Sequence, residues 1–97
     1  MGFEGIEVVH SQPGEINLAV ARLQGDEDFA KEFKARFSAI QGIHQVEPDA
    51  DRGEVLVLYD KHALFSLSSL LALKATFSHL FPEIDTFSLA RWLSKHL

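Results

Sequence analysis

Hydrophobic and polar residues alternate in the first part of the chain, and the alternation is interrupted once. Over residues 3–10, Ile6 and Val8 fall on one side and Glu7 and Val9 on the other; over residues 15–23, Ile16, Leu18 and Val20 oppose Asn17, Ala19 and Ala21. A period of two is that of a strand. Between the runs stands Ser11-Gln12-Pro13-Gly14, in which proline presets φ at the first corner of a turn and glycine accepts the positive φ of the second. Residues 6–20 are therefore predicted to be two antiparallel strands joined by a tight reversal.

Beyond Gly25 the period changes. Phe29, Phe33, Phe37 and Ile40 recur with Ala30 beside them, the spacing of an amphipathic helix whose aromatic stripe faces a sheet. Asp26 is placed to cap this helix, Glu27 and Asp28 suit the positive end of its dipole, and Gly42 stops it. Residues 43–48 read as a short strand and 49–53 as a polar turn. Residues 54–59 (EVLVLY) are apolar on both sides, which predicts a central strand buried above and below.

Ser66 is placed to cap a second helix running to Phe81, ended by Pro82. Its apolar side is predicted to hold Leu67, Leu70, Leu73, Phe77 and Leu80 or Phe81, opposite Ser68, Ser69, Ala72, Thr76 and His79. Over residues 86–97, Leu89, Trp92, Leu93 and Leu97 fit a short C-terminal helix; a strand over 84–89 is the competing reading. The order strand, strand, helix, strand, strand, helix, helix predicts an α+β fold. Its architecture is a ferredoxin-like two-layer sandwich, with a four-stranded antiparallel sheet ordered first, second, fourth, third. Two helices cover one face, and the C-terminal helix is an appendage. Residues 1–97, with 46% hydrophobic and 24% charged side chains, suffice for a single domain with its own core.

Composition narrows the chemistry. The chain has no cysteine, which removes disulfides, thiolate metal sites and a cysteine nucleophile. Its formal charge of -5 repels a phosphate backbone, so nucleic acid is not an expected partner. The apolar run 63–81 is interrupted by Lys74, His79 and several serines and reads as a buried helix, not a membrane span. The acidic N-terminus does not resemble a secretory leader. A cytoplasmic location is expected, and peripheral association with a membrane is left open.

Three motifs together resemble a known family. They are Val8-Val9-His10-Ser11-Gln12-Pro13-Gly14, Ile40-Gln41-Gly42-Ile43-His44-Gln45-Val46, and Gly53-Glu54-Val55-Leu56-Val57-Leu58-Tyr59-Asp60. The pattern is similar to the heavy-metal-associated (HMA-like) domains, in the divergent branch that lacks the metal-binding Cys-x-x-Cys. The resemblance spans about residues 6–75 and rests mostly on turn and core positions. It implies a small βαββαβ-type module of metal transport, attached to or encoded beside P-type cation pumps. The implied partner is a protein, either such a pump or a second copy of the chain. Two departures stand out: residues 23–28 (LQGDED) occupy the loop where the family carries its thiol pair, and Glu15 follows Pro-Gly where a basic residue is usual.

Candidate site residues fall into three groups. Asp26, Glu27 and Asp28 lie at the family's metal position, where carboxylates would prefer a hard cation, although a helix start explains all three. His10, Glu15, His44, Asp60 and His62 are brought by the expected topology to one end of the sheet. Such donors suit a divalent ion, iron or zinc, or haem. His10 and His44 are three strands apart, about 14 Å at ~4.8 Å per strand, so only His44 with His62, or His10 with Glu15, can share an ion. The third group is an interface. The sheet face away from the helices holds Ala19, Ala21 and alternate Val or Leu residues, too apolar for water. Either the C-terminal helix covers it through Trp92, Leu93 and Leu97, or a partner or second copy does; the latter is favoured.

Enzymatic readings find no support in spacing. Ser66, Ser68 and Ser69 have no His and acid at a recognisable distance along the chain, and no glycine-rich phosphate loop is present. The chain is expected to be a non-enzymatic accessory or adaptor in metal handling, iron among the candidates. The alternative is direct binding of a divalent metal or haem by the surface histidines and carboxylates.

Overall fold

The computed structural model describes residues 5–82 together with 91 and 95. Four strands and three helices follow one another as β1 (Ile6–Gln12), β2 (Glu15–Val20), α1 (Glu27–Ser38), β3 (Ile43–Asp49), β4 (Glu54–Tyr59), α2 (Lys61–Leu64) and α3 (Leu67–Leu80), with a 3-10 turn at Ala21–Leu23. The strands form one antiparallel sheet in the order β1-β2-β4-β3, and the helices pack on one of its faces. This is the ferredoxin-like sandwich that the periodicity predicts. None of the helices is long and apolar enough to cross a membrane among the described residues. Of the expected helix over 86–97 only Arg91 and Lys95 are described, both helical.

Register explains which side chains form the core. Leu18 stands opposite Val8 on β1 and Val55 on β4, and Val57 stands between Ile16 and Val46. Antiparallel partners share a face, so one alternating set from all four strands meets the helices. Ile6, Ile16, Leu18, Val20, Val46, Val55, Val57 and Tyr59 are buried there. From the other layer come the α1 phenylalanines. Phe33 stacks on Phe37 with centroids 4.3 Å apart, Phe37 meets Phe77 edge-on at 5.2 Å, and Phe29 meets Phe81 at 5.7 Å. The aromatic stripe is core, held in the stacked and edge-to-face geometries that ring quadrupoles allow.

Several elements differ from their predicted form, each for a local reason. β1 runs to Gln12 and carries a bulge between Val8 and His10, which leaves Val9 exposed. β2 stops at Val20 instead of Leu23. The Val20 amide donates to the Gly53 carbonyl at 2.7 Å and Ala21 to that of Gly5 at 2.8 Å, and the following 3-10 turn drops Leu23 wholly into the core. Ala21 therefore leaves the sheet.

β4 is central but not buried on both sides. Val55, Val57 and Tyr59 are buried while Leu56 and Leu58 are only half-buried, because the helices all lie on the same face. A short helix the periodicity did not predict, α2, is capped by Asp60, whose carboxylate accepts from His62 N–H at 2.9 Å and Ala63 N–H at 3.4 Å. Ser66 caps α3 as expected, accepting the Ser69 amide at 3.3 Å.

The buried side of α3 is rotated from the predicted one. Ser69, Leu73, Phe77 and Leu80 face inward, while Leu67 is 74% exposed and Leu71 57%. Leu67, Leu70, Leu71, Leu73, Phe77 and Leu80 spread over a wide arc of this helix, so periodicity does not choose the buried side within it. Hydrogen bonding settles the choice: the Ser69 hydroxyl donates to the Gln41 carbonyl at 2.7 Å and accepts from Ser66 Oγ at 3.0 Å. A buried hydroxyl so paired carries no desolvation penalty.

Candidate functional site

The face of the sheet opposite the helices is assembled by three aligned rows of side chains. Reading across β1, β2, β4 and β3, the first row is Glu7, Ala19, Glu54 and Asp49. The second is His10, Asn17, Leu56 and Glu47, and the third Gln12, Glu15, Leu58 and Gln45. Leu56 and Leu58, next to half-buried Asn17 and Ala19, make a small central patch. Around it stand the carboxylates Glu7, Glu15, Glu47, Asp49 and Glu54. Asn17 donates to Glu54 at 3.4 Å, and Gln45 donates to Glu47.

Two open grooves flank this surface. Asn17, Glu47, Asp49, Glu54 and Leu56 line one, Glu7, Ala19 and Gln24 line the other, and Arg52 in the β3–β4 turn borders both. No other described element lies on this side. The face is thus not the apolar surface expected from the alternating Val and Leu residues. The valines of β4 point to the core, its two leucines point out, and long carboxylate side chains on neighbouring strands surround them. Ala19 stands in the face; Ala21, exposed in the 3-10 turn, lines the groove at its edge together with Ala19 and Glu7. Trp92, Leu93 and Leu97 lie outside the described residues.

The end of the sheet with the histidines is closed as the topology requires. Tyr59 N–H donates to the Gly14 carbonyl at 2.9 Å and Asp60 N–H to that of Gly42 at 2.7 Å, so the hairpin turn, the start of β3 and the end of β4 adjoin. The donors themselves are spread out. His10 is exposed on β1 and His44 sits in the bulge of β3, the two edge strands, with β2 and β4 between them. Glu15 lies half-buried on β2. Asp60 is engaged as the α2 cap, and His62 is exposed in that helix's first turn. Among the described residues no group of three or more His, Cys, Asp or Glu side chains is arranged to hold a metal ion.

At the loop where the family would carry thiolates, the donors do not fit a soft ion. Asp26 Oδ1 accepts the Phe29 amide at 2.9 Å as the α1 cap. Glu27 and Asp28 are exposed in the first turn, Leu23 is buried, and the Gly25 amide donates to the Ala50 carbonyl at 2.8 Å. What remains is a set of oxygens turned outward, which soft metals disfavour.

One interaction beside this loop was not legible beforehand. Arg22, in the 3-10 turn, lays its guanidinium 4.5 Å from the centroid of Phe29 and 5.6 Å from that of Phe81, and donates to the Leu80 carbonyl. It thereby caps the C-terminal end of α3 with a cation, where the helix dipole favours one. Nothing in the local sequence marks Arg22, since its partners are far along the chain. The carboxylate rows were in principle visible as alternate positions on strands, but only the register brings them into one surface.

A protein-family model described as heavy metal associated domain 2 matches residues 2–75, from before β1 into α3. No curated protein and no solved structure matches the chain.

Proposed function

We infer that this chain, which belongs to the heavy metal associated domain 2 family, is a non-enzymatic accessory module of metal handling that docks a protein partner on the open face of its sheet. The observation that carries this reading is the three-row surface: a half-buried Leu56–Leu58 centre within a ring of carboxylates. An apolar centre with a polar rim is the anatomy of a protein interface. The rim's charge sets the kind of partner. Two copies meeting sheet to sheet would bring Glu7, Glu15, Glu47, Asp49 and Glu54 against themselves, and like charges so placed are costly. The complementary surface is one with Lys and Arg around an apolar centre, steered in by the acidic field. A cytosolic segment of a P-type cation pump is the partner that family membership favours, the metal being the pump's cargo.

The competing reading is direct binding of a divalent metal or haem through His10, His44 and His62. One set of titrations separates the two. Wild type and a His10→Ala/His44→Ala/His62→Ala variant are titrated with zinc, ferrous iron and haem. The pump's cytosolic segment is titrated into wild type and a Glu47→Lys/Glu54→Lys variant. Docking through the sheet predicts that partner affinity falls at least about tenfold in the lysine variant and drops as salt rises. Metal or haem binding tighter than about micromolar, abolished in the alanine variant, overturns the adaptor reading in favour of direct binding.

A further inference from the structure

The two faces of the sandwich differ in charge as well as in covering. Of the fourteen acids, only Glu83 and Asp85 follow residue 60, whereas Lys61, Lys74, Arg91 and Lys95 do. Residues 61–82, which build α2 and α3, contain no acid at all. On the outer side of this stretch Phe65 is 39% exposed, Leu67 74% and Leu71 57%. Leu67 and Leu71 are one helical turn apart, exposed Lys74 continues the same side, and exposed Lys61 precedes it in α2. Because Ser69, Leu73, Phe77 and Leu80 face the core, the strip lies round the helix from the buried side, in solvent. The neighbouring α1 is neutral, with Glu27, Asp28 and Glu32 against Lys31, Lys34 and Arg36. The surplus of acid lies across the molecule, on the open sheet face.

We propose that the strip Phe65, Leu67 and Leu71, flanked by Lys61 and Lys74, docks this module on an anionic lipid surface. The apolar side chains enter the headgroup boundary, the lysines meet lipid phosphates, and the acidic sheet face turns to solution. Composition favours lipid over protein. Cores of protein interfaces are depleted in lysine and rich in Tyr, Trp and Arg, whereas Leu and Phe beside Lys are what an in-plane interfacial helix uses. At 14 residues α3 is too short to span a bilayer, so it lies along the surface. Charge asymmetry adds orientation: a negative surface repels the acidic sheet face, while on the helical side α1 is neutral and Lys61 and Lys74 outnumber the Asp60 cap. The inference is independent of the partner reading, and the pose leaves the sheet face free.

Vesicle sedimentation of the full 97-residue chain tests the idea, with phosphatidylcholine alone and with about one third phosphatidylglycerol added. Wild type is expected to bind the anionic vesicles, to release as salt rises, and to bind the neutral ones at least about fivefold more weakly, the worth of a single lysine near a charged surface. Leu67→Ser/Leu71→Ser should lower the partition about tenfold or more. Lys61→Gln/Lys74→Gln should lower it about twenty-five-fold, at roughly fivefold per lysine. Glu47→Gln, on the opposite face, should bind at least as well as wild type. All these positions are exposed, and unchanged melting curves confirm that the variants are folded. Absence of wild-type binding at low salt, or a serine variant that binds as wild type does, overturns the proposal. So does a solution dimer that the serine variant loses while vesicles bind neither protein, since the strip is then a contact between copies.

Discussion

Substituting Gly42 by alanine probes how the histidine end of the sheet is closed. Gly42 has φ +100°, and a Cβ there would stand 2.7 Å from Leu64 N, 2.9 Å from Leu64 Cα and 3.0 Å from the Ala63 carbonyl carbon. These are main-chain atoms of α2, which cannot swing aside as a side chain would. Asp60 N–H donates to the Gly42 carbonyl at 2.7 Å and Leu64 N–H to that of Asp60 at 2.9 Å, so moving α2 loosens the hydrogen bonds that tie it to the sheet.

Two terms add. Holding alanine at this φ costs about 1–3 kcal/mol, and displacing α2 costs a further 1–3 kcal/mol, as overpacking does. The sum, about 2–6 kcal/mol, is a large part of the ~5–15 kcal/mol by which such domains are stable. Gly25 supplies the control: its φ is +75°, but nothing lies within 4 Å of its would-be Cβ. There only the conformational strain acts, partly offset by the lower entropy of the unfolded chain, for a net of about 1 kcal/mol or less. Urea unfolding of both variants measures the difference. In thermal unfolding, at about 4–8 °C per kcal/mol for a chain of this size, Gly42→Ala should lower Tm by more than about 8 °C and Gly25→Ala by less than that. Variants that agree within about 1 kcal/mol would refute the steric argument, since both share the strain and only one has the collision.

Two other substitutions test packing that local sequence did not reveal. Arg22→Gln should cost about 1–2 kcal/mol, removing the cation from the Phe29 and Phe81 rings and from the Leu80 carbonyl. Arg22→Lys should recover less than half, because an ammonium cannot stack on rings and reach the carbonyl with one planar group; equal urea midpoints for lysine and arginine would sink this. Ser69→Ala should cost about 1–2 kcal/mol by leaving the Gln41 carbonyl unpaired in a buried place. A melting temperature unchanged from wild type would instead place Ser69 on a solvated side, as the helical pattern alone suggests.

Local signals located the elements well wherever one side of a segment was clearly apolar. The alternation of Ile16, Leu18 and Val20, the four-residue spacing of Phe29, Phe33 and Phe37, and the caps at Asp26 and Ser66 each reappear in the structure. The strand order also followed, since a hairpin, a crossover helix and a second hairpin leave few ways to complete an antiparallel sheet. Legibility stopped at α3. With leucine spread over a wide arc of the helix, the pattern left its phase loose, and Leu67, assigned to the core, stands in solvent.

What the chain determines by itself is its class: short-range periodicity, turn chemistry and the absence of cysteine establish an α+β module without a thiolate site. Tertiary structure alone decided how its faces are used. Glu7 and Glu54 belong to one surface because Ala19 pairs with both, and Arg22 meets Leu80 across 58 residues of chain. Such neighbours arise from register between distant strands and from the rotation of one helix about its axis. Both are set by the sum of all packing and hydrogen bonds, and no window of the sequence contains that sum.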